Sequence, residues 1–222
     1  MARQHRTYYW LAPLVLVVGG ALFWAMLWCM THMRPDDHQH SLAQLPSDSD
    51  LDIVLFGSSD APNTIYMYAN YQCRYCQQFF EEVLPDLGPL LDSIRTRLVL
   101  KLVGKSTHPA VQRAQRMAVC VHRYGNYTAL HNLLTFNYLS IYTDDFQSMV
   151  DDFIDRDHLV AQCMLDGEAA DYLEANNQEF DGMGFAGTPV FVVNNHAYVG
   201  FRKLRDFAQI VDFEIKRKNK LN

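Results

Sequence analysis

In the first thirty residues the apolar positions are continuous, not periodic. Residues 8–30 contain no Asp, Glu, Lys or Arg, and as a helix rising about 1.5 Å per residue they span roughly 34 Å, enough to cross a hydrocarbon core of about 30 Å. Trp10, Trp24 and Trp28 stand towards its ends as interfacial aromatics do, while Pro13 and Gly19-Gly20 loosen the helix. Residues 31–50 follow with no apolar periodicity and read as a linker, so a folded domain is expected from Leu51 onwards. Residues 64–69 are β-branched and aromatic and predict a strand. Phe79, Phe80, Val83, Leu84 and Leu87 then recur at helical spacing, predicting a helix that starts at Cys73 and is ended by Pro85 and Gly88-Pro89. Residues 97–103 predict a second apolar strand, and strand, helix, strand makes a right-handed parallel unit.

From about residue 106 to 183 the strand signals vanish. Helical patterns over residues 110–124, 127–138, 147–154, 158–165 and 168–183 predict a helical insertion. Strand character returns at residues 189–193, turns at Asn194-Asn195 and resumes at 197–199, as in a hairpin. A last helix from Lys203 puts Leu204, Phe207, Ala208, Val211 and Ile215 on one face. Its basic end, from Lys216 to Lys220, suits the negative pole of the helix dipole.

Charge adds a direction to this layout. All 25 acidic residues lie at or after Asp36, and only Arg3 and Arg6 precede the apolar run, which leaves 17 basic against 25 acidic residues beyond it and a net charge of about −8. An acidic body argues against a nucleic-acid partner. The two arginines ahead of the run place residues 1–7 in the cytoplasm, residues 8–30 in the membrane as an anchor or uncleaved signal, 31–50 as linker and 51–222 outside. A cleaved signal peptide is the alternative, since residues 11–18 resemble an h-region and Gly19-Gly20-Ala21 supplies small residues. Cleavage there leaves two Trp at a soluble amino terminus, and either way the body is exported. His32, His38 and His40 lack a Cys or carboxylate to complete a metal site.

The chemistry centres on Cys73-Arg74-Tyr75-Cys76, which follows the first strand and opens the helix. At a helix amino terminus, unpaired N–H groups and the dipole favour a thiolate, and Arg74 adds a positive charge, so Cys73 is expected to attack. Cys76, one turn further among Tyr75, Phe79 and Phe80, is expected to be buried and to resolve the mixed disulfide. A zinc site needs a second ligand pair, and none exists at matching spacing. A purely structural bridge closing so few residues stabilises little. Lys101, inside the second apolar strand, either reaches the site or snorkels, and its long aliphatic stem favours snorkelling.

These residues carry a family resemblance. Gly57-Ser58-Ser59-Asp60-Ala61-Pro62, the strand, Tyr71-Gln72-Cys73-Arg74-Tyr75-Cys76, and the distant Gly184-Phe185-Ala186-Gly187-Thr188-Pro189-Val190-Phe191 resemble the DsbA-like thiol-disulfide oxidoreductases of the thioredoxin-fold superfamily, over about residues 51–216. The resemblance implies an α/β thioredoxin fold with an inserted helical subdomain, preceded here by one transmembrane helix. It also implies a cis bond between Thr188 and Pro189 beside the cysteine pair, with the Thr188 backbone free to pair with an extended substrate, and an ordinary strand-entry proline is the alternative. Family members usually have Asp where Asn70 stands and Pro where Arg74 stands. An amide at Asn70 removes acid–base help from that position. Related proteins often bridge cysteines at the places of Cys120 and Cys163. Closing that 44-residue loop is worth about 4 kcal/mol in the loop-entropy model, and two buried free thiols are the alternative.

The expected function is extracytoplasmic thiol–disulfide exchange through Cys73 and Cys76, in the direction of oxidising exported proteins, with Arg74, Tyr75, Thr188 and Pro189 lining the substrate side. The resemblance suggests a DsbB-type or other quinone-linked membrane protein as redox partner, and neither a cofactor nor a metal is expected. An isomerase, a reductase, or a tethered binding or chaperone module without catalysis are the competing readings.

Overall fold

The computed structural model describes residues 17–26, 39–42, 45–104 and 108–221. The chain divides into two units, Met1–His38 and Gln39–Asn222. In the first, residues 17–26 form a helix, α1. The rest of the expected membrane span at 8–30 lies outside the described residues, among which no helix is long and apolar enough to cross a membrane.

The second unit is built on a mixed sheet of six strands in the order β1-β6-β5-β3-β4-β2. The strands are β1 (Gln39–Ser41), β2 (Ile53–Phe56), β3 (Asn63–Ala69), β4 (Thr96–Leu102), β5 (Val190–Val193) and β6 (His196–Val199). The β3 and β4 strands run parallel, Ile65 opposite Leu98 and Tyr68 opposite Lys101, and every other pairing is antiparallel. Helix α2 (Arg74–Glu82) makes the crossover between β3 and β4. The expected strand, helix, strand unit and the closing hairpin are both present. The stretch read as linker is not wholly unstructured, because Gln39, His40 and Ser41 pair with Tyr198, Ala197 and His196. An edge strand that short is made by the ladder offered by β6 and leaves no periodicity in its own three residues. Pro46 is buried, Ser47 donates from its backbone N–H (2.8 Å) and hydroxyl (2.6 Å) to Glu179, and Asp48 pairs with Arg97 at 2.9 Å. The packed body therefore starts well before Leu51.

Five helices fill the insertion: α3 (Pro109–Tyr124), α4 (Tyr127–Phe136), α5 (Asp144–Asp155), α6 (His158–Asp166) and α7 (Glu168–Gly182). Their starts follow from capping chemistry. Asn126 accepts from the Ala129 N–H at 3.1 Å, Thr143 from Phe146 at 3.3 Å and Asp157 from Leu159 at 2.9 Å. Helix α6 ends at Gly167 in the left-handed region (φ 79°), as helix ends commonly do. Cys120 of α3 and Cys163 of α6 are joined by a disulfide, S–S 2.04 Å. The last helix is α8 (Leu204–Leu221).

Alternation along the strands gives the sheet two covered faces. Met67, Leu100 and Phe191 pack with Phe79 of α2 and Phe207 of α8, the Phe79–Phe191 and Phe79–Phe207 rings being 4.8 and 5.1 Å apart. On the other face Tyr68, Val190 and Val192 pack with Phe180 of α7. Lys101 lies on that second face and does not snorkel. It is 1% exposed, its Nζ 3.3 Å from Glu179 and 3.6 Å from Asp52. Tyr68 donates to the same Glu179 and Tyr172 to Asp52 (2.7 Å). The apolar run was broken by a lysine because carboxylates from β2's leading turn and from α7 meet it inside, compensation that a buried ammonium requires.

Candidate active site

Strand β3 delivers the chain to the site, and Asn70 shapes the turn that follows. Its side-chain carbonyl accepts the Gln72 N–H (2.8 Å), its amide donates to the Val103 carbonyl at the end of β4 (3.0 Å), and its own carbonyl receives the Cys73 N–H (3.0 Å). Residue 104 must be glycine here, with φ at +116° and a Cβ that would fall 2.2 Å from the Asn70 amide nitrogen. The position that usually holds an acid therefore serves as a hydrogen-bonded spacer.

Cys73 is the N-cap of α2, extended at φ −83°, ψ 115°, and its side chain caps nothing. The sulfur is thus left to the site. It is partly exposed, whereas Cys76, one turn on, is 0% exposed, and both thiols are free. The Cys73 S–H donates to the Thr188 carbonyl at 3.2 Å, and Thr188-Pro189 is a cis peptide. The structure thus brings Cys73, Cys76, Thr188 and Pro189 together, from two ends of the chain. Arg74 and Tyr75 are exposed on the outer side of the first helical turn, and Cys120 and Cys163 are spent in their own disulfide.

The electrostatics separate the two thiols. Cys73 is pulled down from 9.0 to about 5, chiefly because the Cys76 S–H hydrogen-bonds its thiolate; partial burial opposes this, while the Thr188 side chain and the N–H groups of Cys76 and Tyr75 reinforce it. Cys76 is pushed up, first by burial and then by the negative sulfur next to it, which resists a second charge. Expected help from the Arg74 guanidinium is not what lowers Cys73. The reason is its outward direction into water, where a charge is heavily screened. One ionised and one protonated sulfur, the first reachable and the second covered, can carry out attack and resolution in turn.

Sequence reasoning missed the polar support beneath the turn. Tyr71, 1% exposed, has its hydroxyl 2.8 Å from both the Tyr127 hydroxyl and His131 Nδ1 in α4. Burial pushes His131 down to about 4, so its ring is neutral near pH 7. The Tyr71 carbonyl accepts from Gln77, and Gln72 donates to the Tyr142 hydroxyl, whose ring meets His108 at 4.5 Å. These partners lie as far as 70 residues apart in the chain, and no local pattern marks them. Among the described residues no three His, Cys, Asp or Glu side chains are grouped to hold a metal ion.

Comparison with known proteins agrees with this geometry. The family model described as Thioredoxin matches residues 49–213. The fold is similar to that of alpha-DsbA1 from Wolbachia pipientis, with a TM-score of 0.62 at 18% identity over 80% of this chain and 97% of that one. It is also similar to a periplasmic thioredoxin-like protein from Salmonella enterica serovar Typhimurium (TM-score 0.58, 17% identity, 78% of this chain, 99% of that one). A thioredoxin-like oxidoreductase from Silicibacter pomeroyi gives a TM-score of 0.55 at 19% identity, over 78% and 94% of the two chains. A curated sequence relative is Na(+)/H(+) antiporter NhaA 3 from Salinispora tropica, 27% identical over 84% of this chain, which spans only 30% of the antiporter's length. A family match across most of the chain makes this chain a member of the thioredoxin family, on a fold shared with alpha-DsbA1.

Proposed function

We propose that the chain is a protein thiol–disulfide oxidoreductase that works outside the cytoplasm and introduces disulfides into exported proteins. The observation that carries this reading is the partly exposed Cys73 thiol at the start of α2, held near 5 beside a buried, protonated Cys76. Thiolate stabilisation belongs to the reduced protein alone, so it favours the dithiol and makes the Cys73–Cys76 disulfide an oxidant. A substrate thiolate attacks Cys73 and breaks the Cys73–Cys76 bond, and Cys76 leaves and takes up a proton. A second substrate thiolate then attacks the sulfur of the first, the substrate disulfide forms, and Cys73 departs as the stabilised thiolate. Two electrons have passed to the protein, which a quinone-linked membrane protein of the DsbB type then removes.

An oxidising compartment suits the Cys120–Cys163 bridge. The Salmonella relative in fold is described as periplasmic. A membrane anchor at residues 8–30 keeps the domain and its redox partner in one plane and raises their effective concentration. Equilibration with glutathione tests the direction. The expected reduction potential lies well above the about −270 mV of thioredoxin and towards the about −120 mV of DsbA. A value at or below that of thioredoxin turns the protein into a reductase. Unchanged in vivo complementation by Cys73→Ala makes it a binding module, and mixed disulfides trapped by Cys76→Ala support exchange.

A further inference from the structure

The three loops that frame the reactive sulfur differ in charge from the rest of the domain. Residues 70–75 lead into and over Cys73; residues 183–189 carry the Thr188 carbonyl that receives its S–H; residues 200–203 are joined to them by the Gly200 N–H, which donates to the Pro189 carbonyl at 2.8 Å. These segments contain Arg74, Arg202 and Lys203 and not one Asp or Glu, in a chain whose 25 acidic residues outnumber its basic ones. The nearest acids along the chain are Glu81 of α2, Asp181 of α7 and Asp206 of α8, outside all three segments. Arg74 is exposed directly after the nucleophile, and the thiolate is supported without it by Cys76, Thr188 and backbone N–H groups. No hydrogen bond or ion pair engages its guanidinium among the described residues. A cation that the thiol does not use and that no carboxylate neutralises is placed to meet whatever approaches the sulfur.

We propose that Arg74 selects polypeptide cysteines flanked by acidic residues. The inference rests on the exchange reading above for the identity of the substrate as a polypeptide thiol or disulfide. Opposite charges at about 8 Å in water differ from like charges by about fivefold in rate, and salt removes the difference once the Debye length, about 10 Å at 0.1 M and about 3 Å at 1 M, falls well below that separation. The selection therefore acts on encounter and orientation and is read as a rate ratio.

Reduced full-length chain is mixed with three peptides of equal length whose single cysteine carries a thiopyridyl group, flanked by two Glu, two Gly or two Lys. The Cys73 thiolate attacks the peptide sulfur, the peptide–pyridyl S–S bond breaks, and thiopyridone is released and followed by absorbance. Cys76 then attacks Cys73, frees the peptide thiol and closes the Cys73–Cys76 disulfide. At low ionic strength the Glu peptide is expected to react about fivefold or more faster than the Lys peptide, the ratio falling towards one at 0.5 M salt. Arg74→Gln should cut the ratio at least twofold and Arg74→Glu should invert it, each compared after a pH profile with the Gly peptide has corrected for thiolate fraction. Equal rates for Glu and Lys peptides, or a ratio untouched by both Arg74 variants, overturn the proposal. This reaction needs only a reactive Cys73, so a thioredoxin-like reduction potential sinks the oxidase reading and leaves the charge test standing.

Discussion

The Cys73 sulfur and the Thr188 carbonyl are separated by 115 positions in the chain and by 3.2 Å in space. That contact is the junction between the two halves of the fold. The β3–α2 turn presents the sulfur, the β5 strand begins directly after the cis proline that follows Thr188, and the helical insertion lies between them in sequence. Both strands are neighbours in the sheet, Tyr68 opposite Val190, so the meeting is fixed by ladder register, not by loop flexibility. The same register leaves the sulfur partly open, because the helix turn and the proline loop cover only its flanks.

Cys73 should titrate near 5, far below the usual thiol, in a pH series of iodoacetamide alkylation or thiolate absorbance. The Cys76 S–H is the largest contributor, so Cys76→Ala should move the midpoint clearly upward, and Cys76→Ser, which keeps an O–H donor, should move it less. A midpoint indifferent to both variants removes this cause. Linkage fixes a second sign: with the folded value below the unfolded one, the reduced protein gains stability over the disulfide form as pH rises from about 5 to about 9 and loses it as pH falls back through 5. Urea unfolding of both redox forms at several pH values reads that difference.

His131 makes a different prediction, best seen in the oxidised protein, where the site cysteines do not titrate. Its folded value of about 4 lies below the ordinary 6.5, so its contribution is complete above 6.5 and is lost as pH falls to 4. The loss has a ceiling of about 3 kcal/mol. His131→Gln, whose amide offers the Tyr71 hydroxyl either a donor or an acceptor, should flatten that part of the pH–stability curve without moving the Cys73 midpoint far. A curve that keeps its slope in the variant shows that other groups set the acid limit.

What could be read along the chain and what could not divides by the range of the interaction. The β3 strand, α2, the hairpin and the five helices of the insertion were legible because alternation, helical spacing and end signals such as Gly125 and Asn194-Asn195 act within one element. The reactive pair was legible because a strand ending just before C-x-x-C is itself a local pattern. Asp52, Glu179, Tyr71 and His131 acquire their roles only from partners dozens of residues away, and no single residue type announces that. The β1 strand escaped notice because its pairing is donated by β6, and Lys101 was misjudged because its two carboxylate partners are invisible from β4.

Lys101 offers the sharpest test of that correction. Lys101→Met leaves Asp52 and Glu179 buried without their cation, which should cost about 3–5 kcal/mol by urea unfolding. Adding Glu179→Gln should recover part of the loss, since a neutral amide no longer needs the ammonium. A snorkelling lysine predicts a change near zero in the single variant. Equal losses in the single and double variants would show that packing, not charge, is responsible.

Cys120 and Cys163 tie α3 to α6 across a sequence separation of 43, while the reactive pair sits at the start of α2. Replacing both by Ala should lower stability by about 2–4 kcal/mol, mainly by enlarging the unfolded ensemble. The alkylation midpoint of Cys73 should stay near 5, because its supporting groups come from Cys76, Thr188 and the first turn of α2, none of which touches that bridge. Stability loss with an unchanged midpoint assigns the bridge to scaffold. A midpoint that moves with it would mean that the insertion, through Tyr127 and His131 under Tyr71, transmits its own order to the sulfur.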